Sequence, residues 1–240
     1  MKKMIAEPLF IFVSILSSLW VNGYSDDLKK KKALNSSIVT LSTEISSNIS
    51  YSEEHLIQLQ HMHHMTDYIL NHFNTYNRED LREIHNNNPF VHSFSVDNEI
   101  VYDKTNSDFN DKKYFMWTNA WEPDNIFFTS LLNSGELLKI NNELLVREIE
   151  SIYTKQEERL SGLFNYRNSV GNKIIDWDVN RTIALNSDQN SFFSARDKEL
   201  MVHMQWRKDI LEQSIKGLED YIVSLNRVVE LIDEHYKSIQ

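Results

Sequence analysis

Apolar residues recur three and four apart along most of this chain, and the rhythm changes at the boundaries of its parts. The first part has no rhythm. Met4–Val21, MIAEPLFIFVSILSSLWV, is the one long apolar run. From Ser36 the apolar positions are Ile38, Leu41, Ile45, Ile49, Leu56, Leu59, Met62, Ile69, Phe73 and Tyr76. That spacing predicts an amphipathic helix over 36–76, interrupted near Ser50–Ser52 and around Thr66. A short helix follows over Arg78–His85, and Asn86–Asn88 with Pro89 ends it. Phe90–Trp121 is aromatic-rich and irregular. Loops and short helices are expected there rather than a sheet, although PFVHSFSVDNEIVYD alternates weakly around Asp97-Asn98.

Regular spacing resumes at Pro123, a good first helical residue, with Asp124 in the opening turn. This helix carries Ile126, Phe127, Leu131 and Leu132 and stops at Asn133-Ser134-Gly135, where Gly135 supplies a left-handed terminator. Asn141 or Asn142 caps the next helix. It carries Leu144, Leu145, Ile149, Ile152, Tyr153, Leu160, Leu163 and Phe164 to about Val170, and Gly171 is expected to end it. Lys173–Ser191 then reads as a polar connector, with Ile174, Ile175 and Trp177 as packing contacts. The last helix starts near Ala195 and has an unbroken heptad seam of Leu211, Ile215, Leu218, Ile222, Leu225, Val229 and Ile232. So long a helix needs a long partner. The helix over 36–76 is the natural one, and a homo-oligomeric coiled coil is the alternative. The fold class expected is all-α: an N-terminal transmembrane helix, then long antiparallel helices around an irregular aromatic-rich middle.

As a helix, Met4–Val21 would be roughly 27 Å long, close to the thickness of a bilayer's hydrocarbon core. Its apolar body is Leu9, Phe10, Ile11, Phe12, Val13, Ile15, Leu16, Leu19 and Trp20. Glu7 and Pro8 suit its headgroup end, and Trp20 with Tyr24 suits the opposite interface. A retained span is the first reading. A cleaved secretory signal is the second, with Lys2 and Lys3 as the basic start but no A-x-A-like site. A buried helix is the third. The chain then divides into an anchor, 1–25, and a helical soluble domain, 26–240.

Composition narrows the classes. Among 240 residues there are 5 Gly, 3 Pro and no Cys. So few turn formers suit long helices, and a disulfide scaffold is excluded. The net charge of −10 argues against nucleic acid as a partner. The one dense basic block is Lys29–Lys32. It reads as a solvated flank beside the membrane or as a contact for anionic lipid. By the positive-inside count, that block places the large domain on the cytoplasmic side.

The candidate chemistry is a His/Met-rich stretch, His61-Met62-His63-His64-Met65, and a second cluster, Met201-Val202-His203-Met204. His61 and His64 share a helix face, His63 falls beside Asp67 four residues on, and His203 would join them if the first and last helices packed. Imidazoles with a carboxylate suit zinc; imidazole with thioether suits copper. Met as a core filler and His on a polar shoulder is the plainer account. There is no G-x-S-x-G, no P-loop, no glycine-rich dinucleotide turn and no paired Glu-x-x-His. No enzyme activity and no cofactor are expected.

Two passages carry a resemblance. One is Ala6-Glu7, the apolar run and its exit LWVNGYSDDLKKKK; the other is FFTSLLNSGELLKINNELLVREIESIY. Glu7, Leu19, Trp20, Asn22, Tyr24 and Asp26 fit the first phrase. Ser134, Gly135, Leu137, Ile140, Asn142 and Leu145 fit the second, with Tyr153 beyond. Together they resemble an uncharacterised bacterial family of single-span membrane proteins, a domain of unknown function. Ala6 stands for the usual Gly, Pro8 is unusual, and the basic leader is reduced to Met1-Lys2-Lys3. The resemblance covers about a third of the chain. It implies an inner-membrane anchor with a helical domain on the far side, against the lysine count, and it supplies no catalytic residue. The expected role is a scaffold or accessory protein working through its long helices, with membrane lipid and a protein partner or a second copy as its contacts. An extracytoplasmic sensor or ligand-binding domain is the alternative.

Overall fold

The computed structural model describes residues 3–87, 93–96, 99–102, 121–185 and 195–236, with side chains over 25–84, 121–184 and 195–236. The chain is built from helices. Helix α1 (Lys3–Asn71) runs 69 residues without a break, about 100 Å of rod. The expected interruptions do not form. Hydroxyls that would compete with the backbone bond instead to carbonyls four residues back: Ser46 to Ser42, Ser50 to Ser46 and Thr66 to Met62. Helix α2 (Arg78–Asn87) follows a turn in which Asn77 accepts from the Asp80 amide, an N-cap.

Within the irregular middle, Ser93–Val96 (β1) and Glu99–Tyr102 (β2) pair antiparallel, with Ser93 opposite Tyr102 and Val96 opposite Glu99. The weak alternation there thus forms a hairpin, where loops and short helices were expected. The rest of that middle, up to residue 120, lies outside the described residues.

Helix α3 (Ile126–Asn133) begins three residues after Pro123 rather than at it. It ends at Gly135, whose φ is +70°. There the amides of Gly135 and Glu136 bond back to the carbonyls of Leu132 and Leu131, a Schellman end. A single 3₁₀ turn, Leu137–Lys139, leads to Asn142, whose side chain accepts from the Leu145 amide and caps α4 (Glu143–Glu150). Helix α4 passes through a π-helical turn, Ser151–Gln156, into α5 (Glu157–Leu185). Gly171 does not end it. A glycine inside a helix costs about 1 kcal/mol, and the buried face continues past it through Ile174 and Trp177, while Ile175 is half-buried. The expected polar connector is therefore helical to Leu185. Helix α6 (Lys198–Tyr236) starts at Asp197, which caps it by accepting from the Leu200 amide.

The three long helices form a bundle. Helices α1 and α6 are antiparallel, with His63 against Glu212 and Tyr76 against Ala195. Helix α5 lies alongside α6 and also runs opposite to it, with Tyr221 at Glu157 and Asp197 at Trp177. The intrachain partner expected for the last helix is thus present. Of its seam, Leu211, Leu218, Leu225 and Ile232 are fully buried, whereas Ile215, Ile222 and Val229 are half-buried. Ser214, Tyr221 and Val228 complete the buried stripe. The stripe is wider than a two-stranded seam because α6 packs against both α1 and α5.

No helix among the described residues is long and apolar enough to cross a membrane. The side chains of residues 3–24, and with them the expected anchor, lie outside the described set, although the backbone there is the first part of α1.

Candidate functional site

The expected metal ligands are not brought together. His61 is buried at 6% exposure, His64 is exposed, and Asp67 accepts from Lys208 of α6. His203 stacks edge-on to Trp206 and faces Glu199 at 3.8 Å. The register explains the separation. Asp67 lies opposite Lys208 in an antiparallel pair, so His203 comes level with residues beyond Asn71, on the order of 15 Å along the bundle from His61. Among the described residues no three His, Asp or Glu side chains could hold a metal ion.

What α1 does carry is a buried polar stripe. Glu44, Asn48 and Tyr51 project from one face and take hold of the chain entering α3. The Tyr51 hydroxyl accepts from the Glu122 amide at 3.1 Å. Asn48 makes a two-point clamp on Asp124, accepting from its amide at 2.9 Å and donating to its carbonyl at 2.7 Å. Glu44, only 6% exposed, accepts from the amides of Phe127 and Phe128 at 2.6 and 3.2 Å. Asn125, at the cap position of α3, makes no side-chain cap, so a carboxylate from another helix supplies it. The Tyr153 hydroxyl also donates to Glu44, at 2.8 Å, from the π-helical turn, and its ring stacks on Phe128 at 4.3 Å. Sequence reasoning missed this stripe. The signal was the heptad Ile38, Leu41, Ile45, Asn48, Ser52, His55, Leu59, which keeps its spacing through three polar residues, all of them buried.

Nearby, burial pushes the Glu157 carboxyl up to about 7, the Glu44 charge adds to this, and the Tyr221 hydroxyl opposes it. Burial, with the Arg167 charge, holds His55 down to about 3. Two arginines, Arg167 and Arg207, lie between the two apolar clusters of the bundle at 1% and 0% exposure. Burial lowers them to about 10 and about 9, and for Arg207 the Arg167 charge adds to the effect. His55, Arg167 and Arg207 are packed in the core, and Glu157 is half-buried at its edge.

An open groove lies at the base of the bundle, the end nearest Met4–Val21. The chain descends from Glu122 to Gly135 along α1, turns, and rises again as α4. The turn and the helix ends around it enclose a groove of about 1130 Å³. Helix α1 contributes Lys30, Lys31, Leu34 and Asn35; the turn contributes Glu136 and Lys139; Asn141, Asn142 and Glu143 open α4; His235 and Tyr236 end α6. Lys30 faces Asp27 at 4.0 Å and Glu143 faces Arg147 at 3.9 Å, both exposed pairs of little strength. Beside the groove Leu138 is 87% exposed, and Ile126, Phe127, Leu132 and Leu144 form further exposed apolar positions on α3 and α4. This end combines lysines, two glutamates, asparagine amides and unburied apolar side chains. Comparison of the chain with family models, with curated proteins and with solved structures finds no match.

Proposed function

We propose that this is a membrane-anchored helical protein acting as a scaffold or accessory subunit, without catalytic activity of its own. The single observation that supports the reading is the continuity of α1. Met4–Val21, the one long apolar run, enters the bundle with no break in the helix. Any anchor formed by that run would hold the bundle at a fixed height, because an unbroken helix between the two transmits position. Gly23 is the one glycine in that join, and the helix passes through it. The exposed apolar positions on α3 and α4 would then face partners at the membrane surface. The family resemblance adds an inner-membrane location with the bundle on the far side.

The test is extraction of membranes at alkaline pH. The full chain is expected in the pellet, and a chain lacking residues 1–25 in the supernatant. A full chain released by carbonate would sink the anchor. Crosslinking of the full chain in its membrane should trap a second copy or a partner through the α3–α4 side. A chain that is monomeric and uncrosslinked at high density would remove the scaffold reading while leaving the anchor in place.

A further inference from the structure

We propose that the groove at the base of the bundle holds the phosphate of an anionic phospholipid headgroup. This rests on the membrane-anchored reading above. The first observation is height. Six residues separate Tyr24, where the apolar run has ended, from Lys30, about 9 Å along a continuous helix. Side chains on a helix lean toward its N-terminus, so the stems of Lys30 and Lys31 reach back toward the bilayer. The headgroup layer extends roughly 5–8 Å beyond the hydrocarbon, which is the depth those ammonium groups would reach.

The second observation is charge. The chain as a whole carries −10, yet Lys30, Lys31, Lys139 and His235 converge on one groove from three separate elements. Two acids, Glu136 and Glu143, also line it, and the three lysines outnumber them. The third is the shape of the turn. Lys139 sits next to Leu138, which is 87% exposed. An exposed apolar side chain beside a lysine offers a lipid both an apolar contact and a cation for its phosphate. A phosphate diester with an acyl tail satisfies both; a free phosphate satisfies only the cations.

The experiment uses the full chain in a non-ionic detergent, with binding read by native mass spectrometry and by thermal shift. Phosphatidylglycerol is expected to bind saturably and phosphatidylcholine not to. One lysine near an anionic surface is worth roughly fivefold in binding, so Lys31→Gln with Lys139→Gln should weaken phosphatidylglycerol by about tenfold or more. Lys29→Gln with Lys32→Gln is the control. It removes the same charge from the same region, but neither residue lines the groove, and the expected loss is less than about threefold. Equal loss in the two double variants, or equal binding of phosphatidylcholine, would overturn the site as a built groove. Full competition by inorganic phosphate at the lipid's own concentration would overturn the lipid and leave a free-anion site. Carbonate extraction of the same proteins separates the two readings. A chain that stays in membranes but ignores phosphatidylglycerol refutes the groove alone; a chain that leaves membranes yet binds the lipid refutes the anchor alone.

Discussion

Helices α1 and α6 are antiparallel partners with the same heptad spacing, yet they bury different chemistry. Helix α6 presents Leu200, Met204, Leu211, Leu218, Tyr221, Leu225, Val228 and Ile232, with Arg207 and Ser214 as its polar members. Helix α1 presents Ile38, Leu41, Ile45, Leu59 and Ile69, but places Asn48, Ser52, His55 and Thr66 in the same stripe and Glu44 beside it. For Glu44 and Asn48 the difference follows from what each helix meets. Helix α6 meets other helices, whose backbones are already satisfied internally. Helix α1 also meets the chain at 122–128, the non-helical approach to α3 and its first turn, whose amides need acceptors. A helix that faces irregular backbone must bury polar side chains to satisfy it.

That contrast can be broken most sharply at Glu44. Glu44→Ala would leave two amides of α3 and the Tyr153 hydroxyl without their acceptor, at a cost of about 4 kcal/mol. Urea denaturation followed by circular dichroism would measure it, and Glu44→Gln, which keeps an acceptor, should lose less than half as much. A loss under about 1 kcal/mol for the alanine variant would mean that water can replace the carboxylate and that the stripe is incidental.

The corresponding change on α6 is a cavity. Leu225→Ala, at 0% exposure, should cost about 3 kcal/mol, and Ile222→Ala, half-buried one turn away, about 1 kcal/mol. Equal losses would restore the symmetrical two-stranded seam that the sequence pattern alone implies.

These two helices also show what could be read in advance. The existence and pairing of α6 followed from periodicity, because burial there is apolar and leaves a 3–4 rhythm. Gly135 and Asn142 were legible for a local reason: a left-handed residue and a helix cap depend on neighbours a few residues away. Glu44 was not, since its partners lie 83 and 84 residues further along the chain. Gly171 misled for the converse reason, as its weak helix propensity is outweighed by Val170, Ile174 and Trp177 packing around it. The His/Met cluster failed on register. Sequence places His61 and His203 on helices that do pack, but only the pairing of Asp67 with Lys208 fixes how far apart they stand. The groove was half visible, as the lysine block; Lys139 and His235 join it only through the fold.

Helix α1 and its neighbour α5 also differ in their response to pH. His55 is held neutral in the fold, down to about 3 from 6.5, by burial and by Arg167. The unfolded chain then binds the extra proton between those values, so stability falls as pH drops below about 6.5. Glu157, pushed up to about 7 from 4.5, works the other way. The folded state binds the extra proton, and its contribution is lost as pH rises through 4.5 to 7. His55→Gln should therefore flatten the acid limb, a difference on the order of 2 kcal/mol at pH 4. Glu157→Gln should be more stable than the parent above pH 7, by about 1 kcal/mol once solvent screening of its half-exposed carboxyl is allowed for. Midpoints in urea at pH 4, 6 and 8 would check both, and parallel curves for all three proteins would show that neither group is perturbed in solution.

The smallest effect tests the one place where a local rule decides the route to the groove. Gly135 has φ of +70°, and a Cβ built there meets nothing within 4 Å, so a side chain is opposed by the backbone conformation alone. Gly135→Ala should then cost about 1 kcal/mol, the strain of a left-handed alanine, and Gly135→Asn less, because asparagine tolerates that region. The ordering Gly, Asn, Ala in thermal midpoint is the diagnostic, since crowding would instead rank asparagine, the larger side chain, last. If alanine matched glycine, the α3–α4 turn would have another conformation open to it, and Lys139 would no longer be held against Lys30 and Lys31 by the fold.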